Sequence, residues 1–254
     1  QSYASSPQFM AHTQIMLGDI ARKSYQYETA AQLYKSVESQ YPDLAPLCAE
    51  SQYKLGALQQ SQGNQEKAFS VWVHVLQDYY DQQQWMVQAR DGILDLLTQD
   101  ITDINQLLSR YQTIVRQFLN YDLFVIEPQY RIAALQLEQQ NYDAAIQTYQ
   151  YIIAQYDHLP KHIFRAYIAK SHAELKNGDL VPAVNTLQNA ANRYRESFPD
   201  SARVAKQQFL QLLTSSAHEL ETAQNYQLAA TRYSRVLEYD PNYLKAHQGY
   251  INCL

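Results

Sequence analysis

The sequence predicts an all-α fold: an α-solenoid of six helix–turn–helix units followed by a single C-terminal helix. Three observations predict it. An anchor position recurs in a fixed register, at Ala30, Ala68, Leu107, Ala145, Ala183 and Ala229, small in all but the third, with spacings of 38, 39, 38, 38 and 46 residues. Large apolar side chains follow each anchor on one helical face. Four residues on stand Tyr34, Trp72, Tyr111, Tyr149, Leu187 and Tyr233, and seven on stand Val37, Val75, Ile114, Ile152, Ala190 and Val236. Offsets of four and seven share a face of an α-helix. The composition agrees, since 254 residues with 46% hydrophobic content hold only 6 Gly and 8 Pro.

The units follow in order. The first, about 9–41, pairs helices over Phe9–Lys23 and Glu28–Gln40. The second, about 47–80, pairs Leu47–Ser61 with Gln65–Tyr79 across a Gly63-Asn64 turn. The third, about 85–119, pairs Trp85–Gln99 with Asp103–Phe118, and Thr102 or Asp103 is its N-cap. It has the weakest pattern, because its anchor is Leu107 and its first helix lacks the Leu-Gly pair seen at Leu17-Gly18 and Leu55-Gly56.

A polar link from Asn120 to Glu127 leads to the fourth unit, about 128–157, with helices Pro128–Gln139 and Tyr142–Tyr156. Pro128 suits a first helical turn, where its missing N–H costs nothing. The fifth, about 161–195, pairs Lys161–Lys176 with Val181–Tyr194 around Asn177-Gly178-Asp179. The sixth, about 201–241, has a long first helix, Ser201–Thr222, and then Tyr226–Tyr239. An aromatic closes five of the second helices, at Tyr41, Tyr79, Phe118, Tyr156 and Tyr194, and Asp240-Pro241 closes the sixth. The terminal helix, 243–254, is either a cap over the last apolar face or the first half of a further unit. The whole of 1–254 reads as a single domain and as part of a larger protein. The polar start, QSYASSPQ without Met, is a linker.

These motifs resemble the tetratricopeptide repeat, a helix–turn–helix unit of about 34 residues. The residues that carry the resemblance are Leu17-Gly18…Tyr27…Ala30…Tyr34…Pro42, Leu55-Gly56…Gly63…Ala68…Trp72, Tyr142…Ala145…Tyr149 and Tyr226…Ala229…Tyr233…Pro241. It implies a right-handed superhelix in which small residues allow close helix approach and Tyr and Trp fill the gaps. The 38-residue spacing with Tyr41-Pro42-Asp43 before Leu55-Gly56 is similar to a bacterial envelope subclass. Cytoplasmic repeat proteins share that spacing, so the compartment stays open between periplasm and cytoplasm, with the resemblance slightly favouring the periplasm.

The function classes narrow mainly by exclusion. A net charge of −5 without any Lys/Arg run argues against a nucleic-acid or membrane-surface partner. No apolar run approaches the ~18 residues of a membrane span. Cys48 and Cys253 are far apart in the array and read as free thiols. There is no phosphate-binding glycine loop, no nucleophile elbow and no His-Glu-x-x-His. Asp157-His158…His162 has four-residue His spacing, but the intervening Pro160 favours a loop or helix start over a metal pair. The chain therefore reads as non-catalytic, with no cofactor and no metal.

What remains is a surface for a protein or peptide partner. By analogy with the family, that surface is the concave groove formed by the first helices. Counting back from each anchor gives candidate groove residues Asp19, Arg22, Lys23, Tyr53, Tyr130, Glu138, Ile168, His172, Lys176 and His218. Their mixture of aromatic, aliphatic and charged groups suits an extended or helical peptide with apolar anchors. His172 and His218 share one register in adjacent units. No Lys/Asn pair stands in the groove register, so the carboxylate-binding form of the repeat is not expected. The alternative reading is the repeat region of a larger envelope machine, or of a multidomain enzyme or sensor whose catalytic part lies elsewhere. Trp72, Tyr111, Tyr149 and Tyr233 are expected to be largely buried.

Overall fold

A computed structural model describes residues 6–254. Among them are thirteen α-helices and no strand. The start of the polar stretch at residues 1–5 lies outside the described residues, but Ser6 caps the first helix, its hydroxyl accepting from the Phe9 N–H. That helix, α1, therefore begins at Pro7, two residues earlier than the pattern alone suggests.

The chain forms two compact units, residues 1–124 and 125–254. The first holds α1 (Pro7–Lys23), α2 (Tyr27–Gln40), α3 (Ala45–Ser61), α4 (Gln65–Asp78), α5 (Gln83–Thr98) and α6 (Ile104–Gln117). α7 (Asp122–Glu138) leads into the second, which continues with α8 (Tyr142–Gln155), α9 (Pro160–Lys176), α10 (Leu180–Arg193), α11 (Pro199–Thr222), α12 (Tyr226–Tyr239) and α13 (Leu244–Asn252). Within each unit consecutive helices pack as antiparallel hairpins: α1 on α2, α3 on α4, α11 on α12.

The register read from the sequence sets the core. Ala30, Ala68, Ala145, Ala183 and Ala229 are fully buried, as are Val37, Val75, Ile152, Ala190 and Val236. Tyr34, Trp72, Tyr111, Tyr149 and Tyr233 are buried with them. Glycines make room for the largest of these rings. A Cβ on Gly18 would stand 2.6 Å from the Tyr34 ring, and one on Gly92 would stand 2.6 Å from the Trp72 indole. Gly56 lies against the other edge of that indole, and Gly249 of α13 lies against Tyr233. Trp72 is thus gripped between α3 and α5, and its Nε1–H donates to the Tyr53 carbonyl at 3.2 Å.

The turns inside the hairpins follow the same register. Tyr25, Gly63, Gln140, Gly178 and Gln224, each five residues before an anchor, have φ between 59° and 88°. The next N–H then reaches back five residues, as from Gln26 to Ala21 (2.9 Å) and from Asn141 to Gln136 (2.8 Å). This is the Schellman arrangement, which satisfies a carbonyl at the end of the first helix. Glycine enters the left-handed region freely, whereas Tyr25, Gln140 and Gln224 do so at a cost of about 1–2 kcal/mol each. The aromatic residues eleven positions after the anchors are the C-caps of the second helices: Tyr41, Tyr79, Phe118, Tyr156 and Tyr194.

The third hairpin departs from this pattern. Thr102, at the turn register, is not left-handed, and α6 is instead started by Asp103, whose carboxylate accepts from the Asn105 and Gln106 N–H groups. α5 and α6 meet only sparsely, and Leu107 is only partly buried. α6 docks by its end, where Phe118 contacts Phe69 of α4 (ring centroids 6.5 Å) and Phe124 (4.3 Å).

α7 corrects the sequence reading. It begins at Asp122, so Pro128 lies inside the helix and most of the stretch read as a link is helical. Proline in that position forgoes one backbone hydrogen bond and crowds the carbonyl four residues back. The buried run Phe124, Val125, Ile126 gives the reason, because a helix over these residues inserts them into the packing, with Val125 and Ile126 fully buried. Among the described residues no helix is long and apolar enough to cross a membrane. Cys48 and Cys253 are free thiols.

Candidate functional site

The first helices of the hairpins carry most of the charged networks. In residues 1–124, Asp19 of α1 accepts from the Tyr34 hydroxyl at 2.6 Å and from Lys54 of α3 at 2.6 Å. Lys54 also meets Glu50 at 3.0 Å. Burial pushes the Asp19 carboxyl up, but the Lys54 and Tyr34 hydrogen bonds more than reverse this and leave it below the usual carboxylate value. Burial, and then the hydrogen bond and negative charge of Asp19, push the Tyr34 phenol up. Arg22 and Lys23 are exposed in the last turn of α1, where cations suit the negative end of the helix dipole. Tyr53 is partly buried, its ring near both Trp72 (6.3 Å) and Trp85 (5.6 Å).

In residues 125–254 the candidates separate. Tyr130 is only 4% exposed and packs between α7 and α9, its hydroxyl donating to the His162 carbonyl at 2.6 Å. Burial pushes its phenol well above the ordinary value. Ile168 is half-buried and packs on the core of Val184, Leu187 and Phe209. Glu138, His172, Lys176 and His218 are exposed. His218 Nδ1 lies 3.4 Å from Glu221, which also accepts from the Tyr233 hydroxyl at 2.8 Å. The last pair parallels Asp19 with Tyr34: a first-helix carboxylate receives the phenol of the following helix. α9 starts at Pro160, so His158 precedes the helix and His162 lies in its first turn. Among the described residues, no group of three or more His, Cys, Asp or Glu side chains is placed to hold a metal ion.

One cluster was missed from the sequence. Glu127, 9% exposed, is forked between two arginines, Arg131 (Nε to Oε1, 3.3 Å) and Arg165 (Nη1 to Oε2, 3.0 Å). The Arg165 guanidinium also lies over the Tyr130 ring, 4.0 Å from its centroid. Both arginine side chains stay 56% exposed. A signal existed: Glu127 and Arg165 each stand eighteen residues before an anchor, Ala145 and Ala183. They occupy equivalent positions on adjacent first helices, three residues ahead of the register that yields Tyr130 and Ile168. Another cluster joins α2, α3 and α4, where Glu38 accepts from Gln52 at 2.6 Å and meets His74 Nε2 at 2.7 Å, while His74 Nδ1 faces Asp78 at 2.6 Å. It knits the three helices together.

Residues 129–158, the latter part of α7 with α8, match the tetratricopeptide repeat family model. The chain carries this repeat, and the other hairpins apart from α5–α6 reproduce its register. The match is to the repeat as such and does not reach the envelope subclass. A comparison with curated proteins found no match. Among solved structures, the chain is similar to the apo form of RapI, with 12% identity over 96% of both chains and a TM-score of 0.42. It is similar to a Rap protein complexed with competence and sporulation factor, with 14% identity over 96% of this chain and 78% of that one and a TM-score of 0.40. It is also similar to MamA, with 17% identity over 74% of this chain and 95% of that one and a TM-score of 0.38.

Proposed function

We propose that the protein is a non-catalytic scaffold that holds a segment of a partner protein against the exposed face of its first helices. The observation that carries this reading is the α7–α9 surface, where Tyr130, Glu127, Arg131 and Arg165 form a fixed array whose two guanidiniums remain open to solvent. Preformed surfaces of this kind suit an extended or helical segment, because the protein loses little freedom when the segment docks. His172 and Lys176 continue the same helix toward its C-terminus and extend the face along α9.

The test is selection of binding peptides from a random display library, followed by hydrogen exchange of the protein with and without the selected peptide. Protection on α7 and α9 is the expected result. Protection confined to the second helices α8 and α10, or failure to select any specific peptide, would sink the proposal.

A further inference from the structure

The arginine pair on α7 and α9 points to the chemistry of the partner. Glu127 supplies one negative charge for two guanidiniums. It meets Arg131 through Nε and Arg165 through one Nη, so the other N–H donors of both arginines remain for a ligand. Arg165 is the more firmly held of the two. Arg165 is pinned from below by the Tyr130 face at 4.0 Å, and Tyr130 is itself fixed by its bond to the His162 carbonyl. Stacking on an aromatic face and pairing with a buried carboxylate both reduce the rotamer freedom an arginine must lose on binding. The guanidinium fork matches a carboxylate with two parallel hydrogen bonds.

The surroundings reinforce the sign. From residue 125 to the end of α7, and over all of α9, stand five cations: Arg131, Lys161, Arg165, Lys170 and Lys176. Three carboxylates oppose them, and two are already used: Glu127 by the arginines and buried Glu174 by Lys170 at 2.8 Å. Glu138 alone is exposed. This local positive excess sits in a chain whose net charge is −5. A long polyanion would meet repulsion beyond the patch, whereas a short acidic segment would meet only the patch.

We infer that Arg131 and Arg165, set on Glu127 and Tyr130, form the docking point for an acidic side chain of the partner segment. This rests on the proposed function and names the partner chemistry at that face. The two guanidiniums receive an Asp or Glu carboxylate, and flanking acidic residues lie toward Lys176.

The test uses a fluorescein-labelled hexaglutamate peptide, with hexaglutamine and a ten-nucleotide oligothymidylate as comparisons, read by anisotropy at low and at physiological salt. Hexaglutamate should bind, and bind more weakly as salt rises. Arg131→Gln and Arg165→Gln should each weaken it about tenfold, the effect of losing a charge-assisted hydrogen bond at a half-exposed site. Lys67→Gln, exposed on α4, should leave it unchanged. Each variant leaves buried Glu127 with one arginine, so its melting temperature is measured alongside to confirm that it is folded at the temperature of the binding assay. Hexaglutamate binding that is absent, or unchanged in both arginine variants, overturns the inference. So does tighter, arginine-dependent binding of the oligothymidylate, which would assign the patch to nucleic acid. The library selection separates the two readings. Selected peptides that protect α7 and α9 but lack Asp and Glu would leave the scaffold standing and remove only the acidic docking point.

Discussion

Replacing Trp72 with alanine probes the packing logic most directly. The indole is 1% exposed and is held by Gly56 of α3 on one edge and Gly92 of α5 on the other. Neither glycine has a side chain to move into the space, so the cavity would collapse poorly. Large aromatic-to-alanine changes in cores cost about 3–5 kcal/mol, with the larger values where the surroundings cannot relax. The upper half of that range is expected here. The loss is a large fraction of the ~5–15 kcal/mol by which a typical domain is stable. Trp72→Phe keeps much of the volume but forfeits the bond to the Tyr53 carbonyl, so it should cost less. Because repeat units are stabilised mainly by their neighbours, the damage should spread from the α3–α4 hairpin to α5. The assay is urea unfolding followed by far-UV circular dichroism, with hydrogen exchange to map the region that opens. An unfolding midpoint for Trp72→Ala equal to wild type would refute the argument that the two glycines exist to seat this ring.

Further outcomes follow from other parts of the chain. The Asp19 carboxyl is held below its ordinary value of 3.8, so the ionised form favours the fold; that stabilisation is complete above this value and is lost as pH falls through the lowered one. Asp19→Asn should therefore flatten the acid limb of stability below pH 3.8, seen by melting at stepped pH, and an unchanged acid limb would show that Lys54 and Tyr34 do not hold the carboxylate. Gln140→Gly and Gln224→Gly should each raise stability by roughly 0.5–1 kcal/mol, because glycine relieves the left-handed backbone at some entropic cost, and lowered melting temperatures would contradict the turn geometry.

Much of the fold was legible because the repeat speaks through local chemistry. Alanine at the closest helix approach, a large ring four residues later and an aromatic at the helix end are fixed by spacing along one chain segment. They carry through to buried Ala145, Tyr149 and C-cap Tyr156 without reference to anything distant. Gly63 and Gly178 marked two left-handed turns, but Tyr25, Gln140 and Gln224 hide the same geometry, since the Schellman bonds and hairpin packing force it on residues that do not prefer it. Pro128 misled for the converse reason. Its local preference is a helix start, and burial of Val125 and Ile126 outweighed one lost hydrogen bond.

The sequence by itself determined the all-helical repeat, its register, its second helices and the residues that fill its core. Only the tertiary structure decided which first-helix side chains are open. Register placed Tyr130 on the candidate face, but the approach of α9 buried it and turned it into a platform for Arg165. Register could not reveal that Glu127, Arg131 and Arg165 meet, because ion pairing depends on the distance between separate helices, and that distance is set by the packed side chains between them.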